Sequence, residues 1–203
     1  MRAVVITKHG GPGVLRVQER PDPPLGPGQV RIAVAAAGIN FADVMARMGL
    51  YPDAPKTPCV VGYEVAGTVI ELGAGAEGFG EGQRVVAGTQ FGGYASQVTV
   101  PAGDVVALPE QLSFEQGAAI PVNYATAWAG LIGYGNLQIG ERLLVHSAGG
   151  GVGIAATQIA KRGGAEVYGT ASPGKHARIV ELGVDHALDY TRPGWERGLP
   201  SSI

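Results

Sequence analysis

Ala148, Gly150 and Gly153 stand at A-x-G-x-x-G spacing inside ERLLVHSAGGGVGIAATQIAKRGGAEVYGTAS, residues 141–172. The stretch rises through apolar residues, breaks into glycines and settles into a helical pattern. The first turn of a helix has unpaired N–H groups and a partial positive charge, so it attracts phosphate. A side chain at the turn would hold a pyrophosphate away from the backbone, which is why glycine is needed there. Gly150, Gly151, Val152 and Gly153 are therefore the candidate pyrophosphate residues, with Ala148 in place of the usual first glycine. Such a match is weak alone and gains specificity from a strand before it and a helix after it. A tight strand-to-helix turn without ligand is the plain alternative.

The end of the next strand reports on the nucleotide. Sites for NAD carry an acid about 20 residues on, for the ribose 2′-OH. Here that strand ends GTASPGK, with no acid. Ser172 and Lys175 are present instead, a hydroxyl and a cation suited to a 2′-phosphate. NADPH is thus expected over NADH. Tyr190 ends the third strand, where it can lie beside the adenosine or pack as a surface tyrosine.

These residues need a scaffold. From Ser113 the chain reads as a helix opened by a Ser-x-x-Gln capping box and running apolar to about Gly133. Then come strand LLVHSA, the glycine turn, helix 152–161, strand EVYGTA, helix 174–182 and strand HALDY. That β-α-β-α-β order is the signature of a parallel sheet covered by helices. Residues 1–122 read as mainly β. Strand candidates are RAVVITK, VLRVQER and QVRIAVAAAGI, with Val30, Ile32 and Val34 on one face. FADVMARMG has helical spacing with Gly49 as its stop, and YEVAGTVIELG and RVVAGTQFGGYASQVTVPAG return to strands. Short strands with glycine punctuation suggest a small barrel.

Composition narrows the class. The 203 residues are 45% apolar and 16% charged, suiting a globular protein with a real core. The 34 glycines are roughly twice the average share of about 7%, and their scatter among strands reads as turns. A net charge of −2 offers no field for nucleic acid or an anionic membrane. Cys59, the single cysteine, excludes an intrachain disulfide and a multi-cysteine zinc cage, and favours a reducing, cytoplasmic compartment. No secretory leader is expected at residues 1–8, nor any membrane span.

Residues 140–161 read G-E-x-x-L-x-x-x-A-G-G-G-x-G-x-x-x-x-Q-x-x-K. KHGGPGVLRV, GINFADVMARMGLYP, GYEVAGTVIELG, GQRV and LSFEQGAAIP occur elsewhere in the chain. Together these resemble the quinone oxidoreductase/ζ-crystallin group of the medium-chain dehydrogenase/reductase superfamily, over essentially the whole chain. The resemblance implies a GroES-like barrel domain (1–122) joined to the first half of a Rossmann domain (123–203), with NADPH in the cleft between them. It implies a zinc-free hydride-transfer reductase of quinones or α,β-unsaturated carbonyls, and a homodimer for the complete family members. Carried over by resemblance, Asn40, Phe41 and Asp43 face the nicotinamide end and Tyr51 contacts the substrate. Thr126 lies near the cofactor, and Asn40 and Tyr51 are the candidate catalytic residues. Tyr51 reads equally as a pocket wall, and Asp43 as an acceptor of backbone N–H bonds at its helix start. His146, beside the turn, reads as a packing residue.

The resemblance also bears on metal. Where the zinc enzymes of the superfamily carry a Cys and the His of G-H-E, this chain has Asn40 and Tyr63, neither suited to zinc in that role. A complete Rossmann sheet has six strands, and this chain supplies three. A fragment of a chain of roughly 320 residues, a length taken from the resemblance, is expected, with an unpaired edge on the first Rossmann strand. A non-catalytic nucleotide-binding or inert truncated product is the alternative function. Purified without a metal-affinity tag, the protein is expected to hold well under one zinc per chain by elemental analysis. A stoichiometric zinc that survives chelator dialysis overturns that expectation.

Overall fold

Alternation of β-branched residues with small or polar ones builds the first half of the chain. In the computed structural model, which describes residues 1–201, a hairpin comes first. Its strands β1 (Arg2–Ile6) and β2 (Leu15–Glu19) pair antiparallel with Val4 opposite Val17. Next come β3 (Gln29–Ala37), helix α1 (Phe41–Met48), β4 (Glu64–Leu72), β5 (Arg84–Gly88), β6 (Gln97–Pro101) and β7 (Val105–Ala107). These strands form one antiparallel sheet in the order β6-β3-β4-β5-β7. Val30, Ile32, Val65, Val69, Val85 and Val98 are buried on its inner face. Each such side chain contributes about 1.5–3 kcal/mol relative to exposure.

The expected face of β3 is Val30, Ile32 and Val34. The first two are fully buried and Val34 only partly. The β3–β4 ladder slips in register between Arg31 and Ile32 and again between Val34 and Ala36. Such irregularities bend and twist a strand, and here they help curl the sheet into a half-barrel. α1 stops as expected at Gly49, whose φ of 78° suits a residue without Cβ.

The helical run from Ser113 differs from its expected form. Ser113 Oγ does accept from Gln116 N–H at 3.2 Å, and Gln116 Oε1 accepts from Ser113 N–H at 2.9 Å. The helix they open, α2 (Phe114–Ala118), is one turn long. A second, α3 (Pro121–Trp128), follows and passes into a π turn over Ala129–Tyr134. Pro121 explains the break: it has no N–H to donate and disfavours helical backbone in the residue before it.

The chain divides into two units, Met1–Val122 and a second from Asn123 on. In the second, β8 (Arg142–Val145), α4 (Gly151–Arg162), β9 (Glu166–Ala171), α5 (His176–Glu181) and β10 (His186–Asp189) give a parallel sheet in the order β10-β9-β8. This is the opening half of a Rossmann sheet. β9, paired on both sides, is the apolar centre, with Val167, Tyr168 and Ala171 buried. β8 is an edge among the described residues. Ala155, Ala156 and Ala160 of α4 pack with Val145 and Val167. Lys161 clamps Asp185 at 2.7 Å, and Asp185 also accepts from Val167 N–H at 2.8 Å. Among the described residues no helix is long and apolar enough to cross a membrane.

The closeness of α4 to the end of β8 depends on Gly153. A Cβ there would overlap Ser147 O and lie 2.8 Å from Ala148 Cα and 3.0 Å from Ala148 C. These are backbone atoms, so the helix itself would have to move. Gly153→Ala is expected to cost about 1–3 kcal/mol in urea unfolding. Gly174→Ala, where a Cβ meets nothing within 4 Å, is expected to stay within about 0.5 kcal/mol. Equal effects of the two substitutions would contradict the packing argument.

Candidate functional site

The glycine turn is built by one strained residue and one short bond. Ser147 leaves β8 with φ 54°, in the left-handed region, although it carries a side chain. Its carbonyl accepts from Gly150 N–H at 2.8 Å, closing the turn. Its N–H and the His146 ring are both held by Thr170 Oγ1 of β9 at 3.2 Å. Gly150 is the N-cap of α4 and has no side chain to satisfy the free N–H groups of the first turn. A Cβ on Gly151 would fall 2.5 Å from Asn123 Oδ1.

Against this turn lies a hollow of about 120 Å³, lined by Ser147, Gly149, Gly150, Ala171, Ser172, Lys175 and Tyr190. Four expected cofactor residues, Gly150, Ser172, Lys175 and Tyr190, thus meet at one place. No carboxylate lines the hollow. The neighbouring acid, Asp189, faces other partners: Thr191 N–H at 3.0 Å, Thr191 hydroxyl at 2.6 Å and Arg192 Nε at 3.0 Å. The Thr191 bond, with Arg192 adding, holds its carboxyl below the usual carboxylate range. Lys175 makes no ion pair among the described residues. A hydroxyl, an unpaired ammonium and helical N–H groups converge, a donor set that fits phosphate.

In the first unit the expected residues gather around two buried acids. Asp43 Oδ2 accepts from Asn40 N–H at 2.8 Å and from Tyr94 hydroxyl at 2.8 Å. Its Oδ1 accepts from Gly62 N–H at 3.0 Å. Burial, with the bond to Asp43 adding, pushes the Tyr94 phenol well up. Glu64, 1% exposed, accepts from Asn40 Nδ2 at 2.9 Å and from Val122 N–H at 2.8 Å. Beside them Tyr51 meets Tyr63 edge-on at 6.2 Å, and Tyr63 meets Phe91 at 5.2 Å. The Tyr63 hydroxyl is buried with no hydrogen-bond partner among the described residues. Burial, with Tyr51 adding, raises its phenol far above the usual value, so it stays neutral.

Several expected residues lie away from the hollow, and Asp43 takes the second of its two expected roles, as an acceptor of backbone N–H bonds. Asp43, expected at a cofactor, is turned inward. It is 4% exposed and its oxygens take three internal donors, so its geometry is that of a structural hub. Thr126 is exposed on α3, and neither it nor Val152 lines the hollow. His146 is exposed rather than packed inside, its ring edge-on to Trp195 at 5.6 Å. Phe41, at the start of α1, is 76% exposed. Sequence reasoning passed over Glu64, Tyr94 and Ser147. Glu64 had a signal, an acid directly after Tyr63 in a segment read as a strand. Ser147 had none. Cys59 is a buried core residue packed with Ile6, Ala46 and Val61. Among the described residues no three His, Cys, Asp or Glu side chains gather as a metal site.

The alcohol dehydrogenase GroES-like domain model matches residues 26–110. The human synaptic vesicle membrane protein VAT-1 homolog is 44% identical over 193 residues, covering 94% of this chain and 49% of that protein. The structure of Escherichia coli quinone oxidoreductase complexed with NADPH superposes with a TM-score of 0.89 at 33% identity, covering 97% of this chain and 61% of that one. CurK enoyl reductase does so with a TM-score of 0.91 at 32% identity, covering 97% and 61%. The chain therefore belongs to the medium-chain dehydrogenase/reductase superfamily. Within it, its likeness is to the quinone oxidoreductase group. It spans about half the length of the human relative.

Asp43 gives a direct test of the hub. Asp43→Ala leaves the Tyr94 hydroxyl and the Gly62 and Asn40 N–H groups without their acceptor. At about 1–3 kcal/mol for each unsatisfied buried donor, a loss of about 3 kcal/mol or more is expected in chemical unfolding. Asp43→Asn, which keeps one acceptor oxygen, is expected to fall between. A loss under about 0.5 kcal/mol for the alanine variant would remove Asp43 from this role.

Proposed function

We propose that this chain carries the substrate-facing barrel and the adenosine-side nucleotide site of a zinc-free, NADPH-dependent reductase of quinones or α,β-unsaturated carbonyls. The observation that carries the reading is the acid-free hollow where Ser172, Lys175 and Tyr190 meet the glycine turn. Hydride donation is the chemistry the dihydronicotinamide supplies when bound, and the protein supplies position and electrostatics. Gly151, in the first turn of α4, offers a backbone N–H group to the pyrophosphate. Ser172 and Lys175 take the 2′-phosphate, and Tyr190 lies against the adenosine ribose.

Relatives support the chemistry. The Escherichia coli protein is a quinone oxidoreductase seen with NADPH, and CurK is an enoyl reductase. Both reactions add hydride to a carbon made electron-poor by a conjugated carbonyl. The first unit offers that carbonyl neutral groups, the Asn40 amide and the Tyr51 phenol. The Tyr63 phenol, which burial keeps protonated, is a poor metal ligand. This favours activation by hydrogen bonding over activation by zinc.

Calorimetry on the intact chain separates the cofactors without requiring turnover. NADPH is expected to bind about 1.5–3 kcal/mol more tightly than NADH, the worth of charge-assisted contacts to the 2′-phosphate. Lys175→Ala is expected to remove most of that difference, and 2′,5′-ADP to compete where 5′-AMP does not. Equal affinities for the two dinucleotides would overturn the assignment.

A further inference from the structure

Glu64 is the more costly of the two buried acids, because among the described residues its hydrogen-bond partners are one side-chain amide and one backbone N–H. No cation pairs with it among the described residues. The chain also gives up a side chain to accommodate it. A Cβ on Gly38 would run into Glu64 Oε1 and Cγ and lie 2.5 Å from Ala118 O. An unpaired buried carboxylate is among the least favourable groups to keep in a fold. Its satisfaction by Asn40 Nδ2 at 2.9 Å and Val122 N–H at 2.8 Å therefore couples two distant points tightly. One is the side chain just ahead of α1. The other is the first turn of α3.

We infer that Glu64 is a positioning residue that fixes the Asn40 amide so that its second N–H is a neutral donor to the carbonyl oxygen of the acceptor substrate. The orientation follows from partner chemistry. An amide has two N–H donors on one end and an acceptor oxygen on the other. The carboxylate demands the donor end. On the other side the Asn40 backbone N–H donates to Asp43 Oδ2 at 2.8 Å, and Asp43 N–H donates to the Asn40 backbone carbonyl at 3.1 Å, so the Asn40 side chain makes no cap bond to α1. The demand of the carboxylate therefore sets the amide orientation, and it leaves one N–H of Nδ2 without a partner among the described residues. As hydride reaches a quinone or enone, negative charge gathers on its carbonyl oxygen. A donor fixed in advance stabilises that charge without reorganisation. The inference rests on the reading of the first unit as the substrate-facing half of a carbonyl-activated reductase.

Glu64→Gln is nearly isosteric but supplies one acceptor where two are needed, so Asn40 must turn or lose its bond. The test uses the intact chain and cyclohex-2-enone labelled with 13C at its carbonyl. Side-chain amide NMR reports on Asn40, with its signals assigned by their loss in Asn40→Ser. Difference infrared spectroscopy reports on the bound carbonyl. In the wild type, one Asn40 amide proton is expected to exchange slowly and the bound carbonyl stretch to fall below its value in water. Glu64→Gln is expected to shift the Asn40 amide signals, abolish most of the carbonyl shift and weaken enone binding about fivefold to tenfold, the equivalent of one neutral hydrogen bond. The exchanged pair Asn40→Asp with Glu64→Gln restores a donor–acceptor bond with its direction reversed, the amide now on β4 and the carboxylate ahead of α1, but presents no N–H outward. It is expected to recover thermal stability over Glu64→Gln while the carbonyl stays unshifted, which a purely structural role would not produce. An unshifted carbonyl in the wild type, or wild-type spectra from Glu64→Gln, overturns the inference alone. Absence of saturable enone binding overturns it together with the proposed substrate class.

Discussion

The first unit is organised around acids kept dry. Asp43 and Glu64 are buried, and among the described residues the hydrogen-bond partners of both are neutral N–H or O–H groups. Lost water must be replaced at the carboxylate oxygens bond by bond. That requirement sets much of the local backbone. It brings the start of α1 to Gly62 through Asp43, and the start of α3 to β4 through Glu64. It calls for glycine at position 38 and ties down the Tyr94 hydroxyl. Hydrophobic burial holds the sheet together, but these bonds decide where the loops leaving it end up.

The second unit solves the opposite problem. Its turn leaves polar groups unsatisfied and keeps apolar bulk away from them. Ser147 is held at positive φ by bonds through its own carbonyl and N–H, to Gly150 and to Thr170. Strain of this kind costs of order 1–3 kcal/mol and persists only where the surroundings impose it. Gly153 lets α4 come in against the strand end, which aims the helix N-terminus at the hollow. Lys175 adds a full charge to the partial charge of the helix. Because the hollow is small and no carboxylate lines it, its cation and hydroxyl make an anion the ligand it suits.

The elements of this fold were legible where a local rule suffices. Period-two valines mark β3 to β6, a capping box marks α2, and the strand–glycine–helix run marks β8 to α4. The break at Pro121 was equally local, since proline itself dictates it, yet the uniform apolar pattern around it concealed the boundary. Ser172, Lys175 and Tyr190 could be placed near the glycine turn because their positions at the strand ends follow from βαβ geometry. The register slips in β3 and the positive φ of Ser147 could not, because both depend on neighbours far along the chain. The same holds for Glu64. Its strand was visible, but its bonds cross 24 residues to Asn40 and 58 to Val122. Only the folded backbone brings those groups together.

Asp43 and Asn40 show how a resemblance transfers position better than role. Both stand in the segment that the resemblance assigns to the nicotinamide end, and they lie three residues apart. Yet Asp43 faces in, with three donors on two oxygens, while Asn40 is half-buried and its Nδ2 makes one hydrogen bond among the described residues. The difference arises in α1. Three residues on, at the N3 position, a side chain can reach back to the N-cap N–H, and a carboxylate that does so is drawn under the helix start. The N-cap residue precedes the first turn and remains at its rim. Of two polar residues at this spacing, one completes the helix start and the other is left at its rim, half-buried and bonded to Glu64.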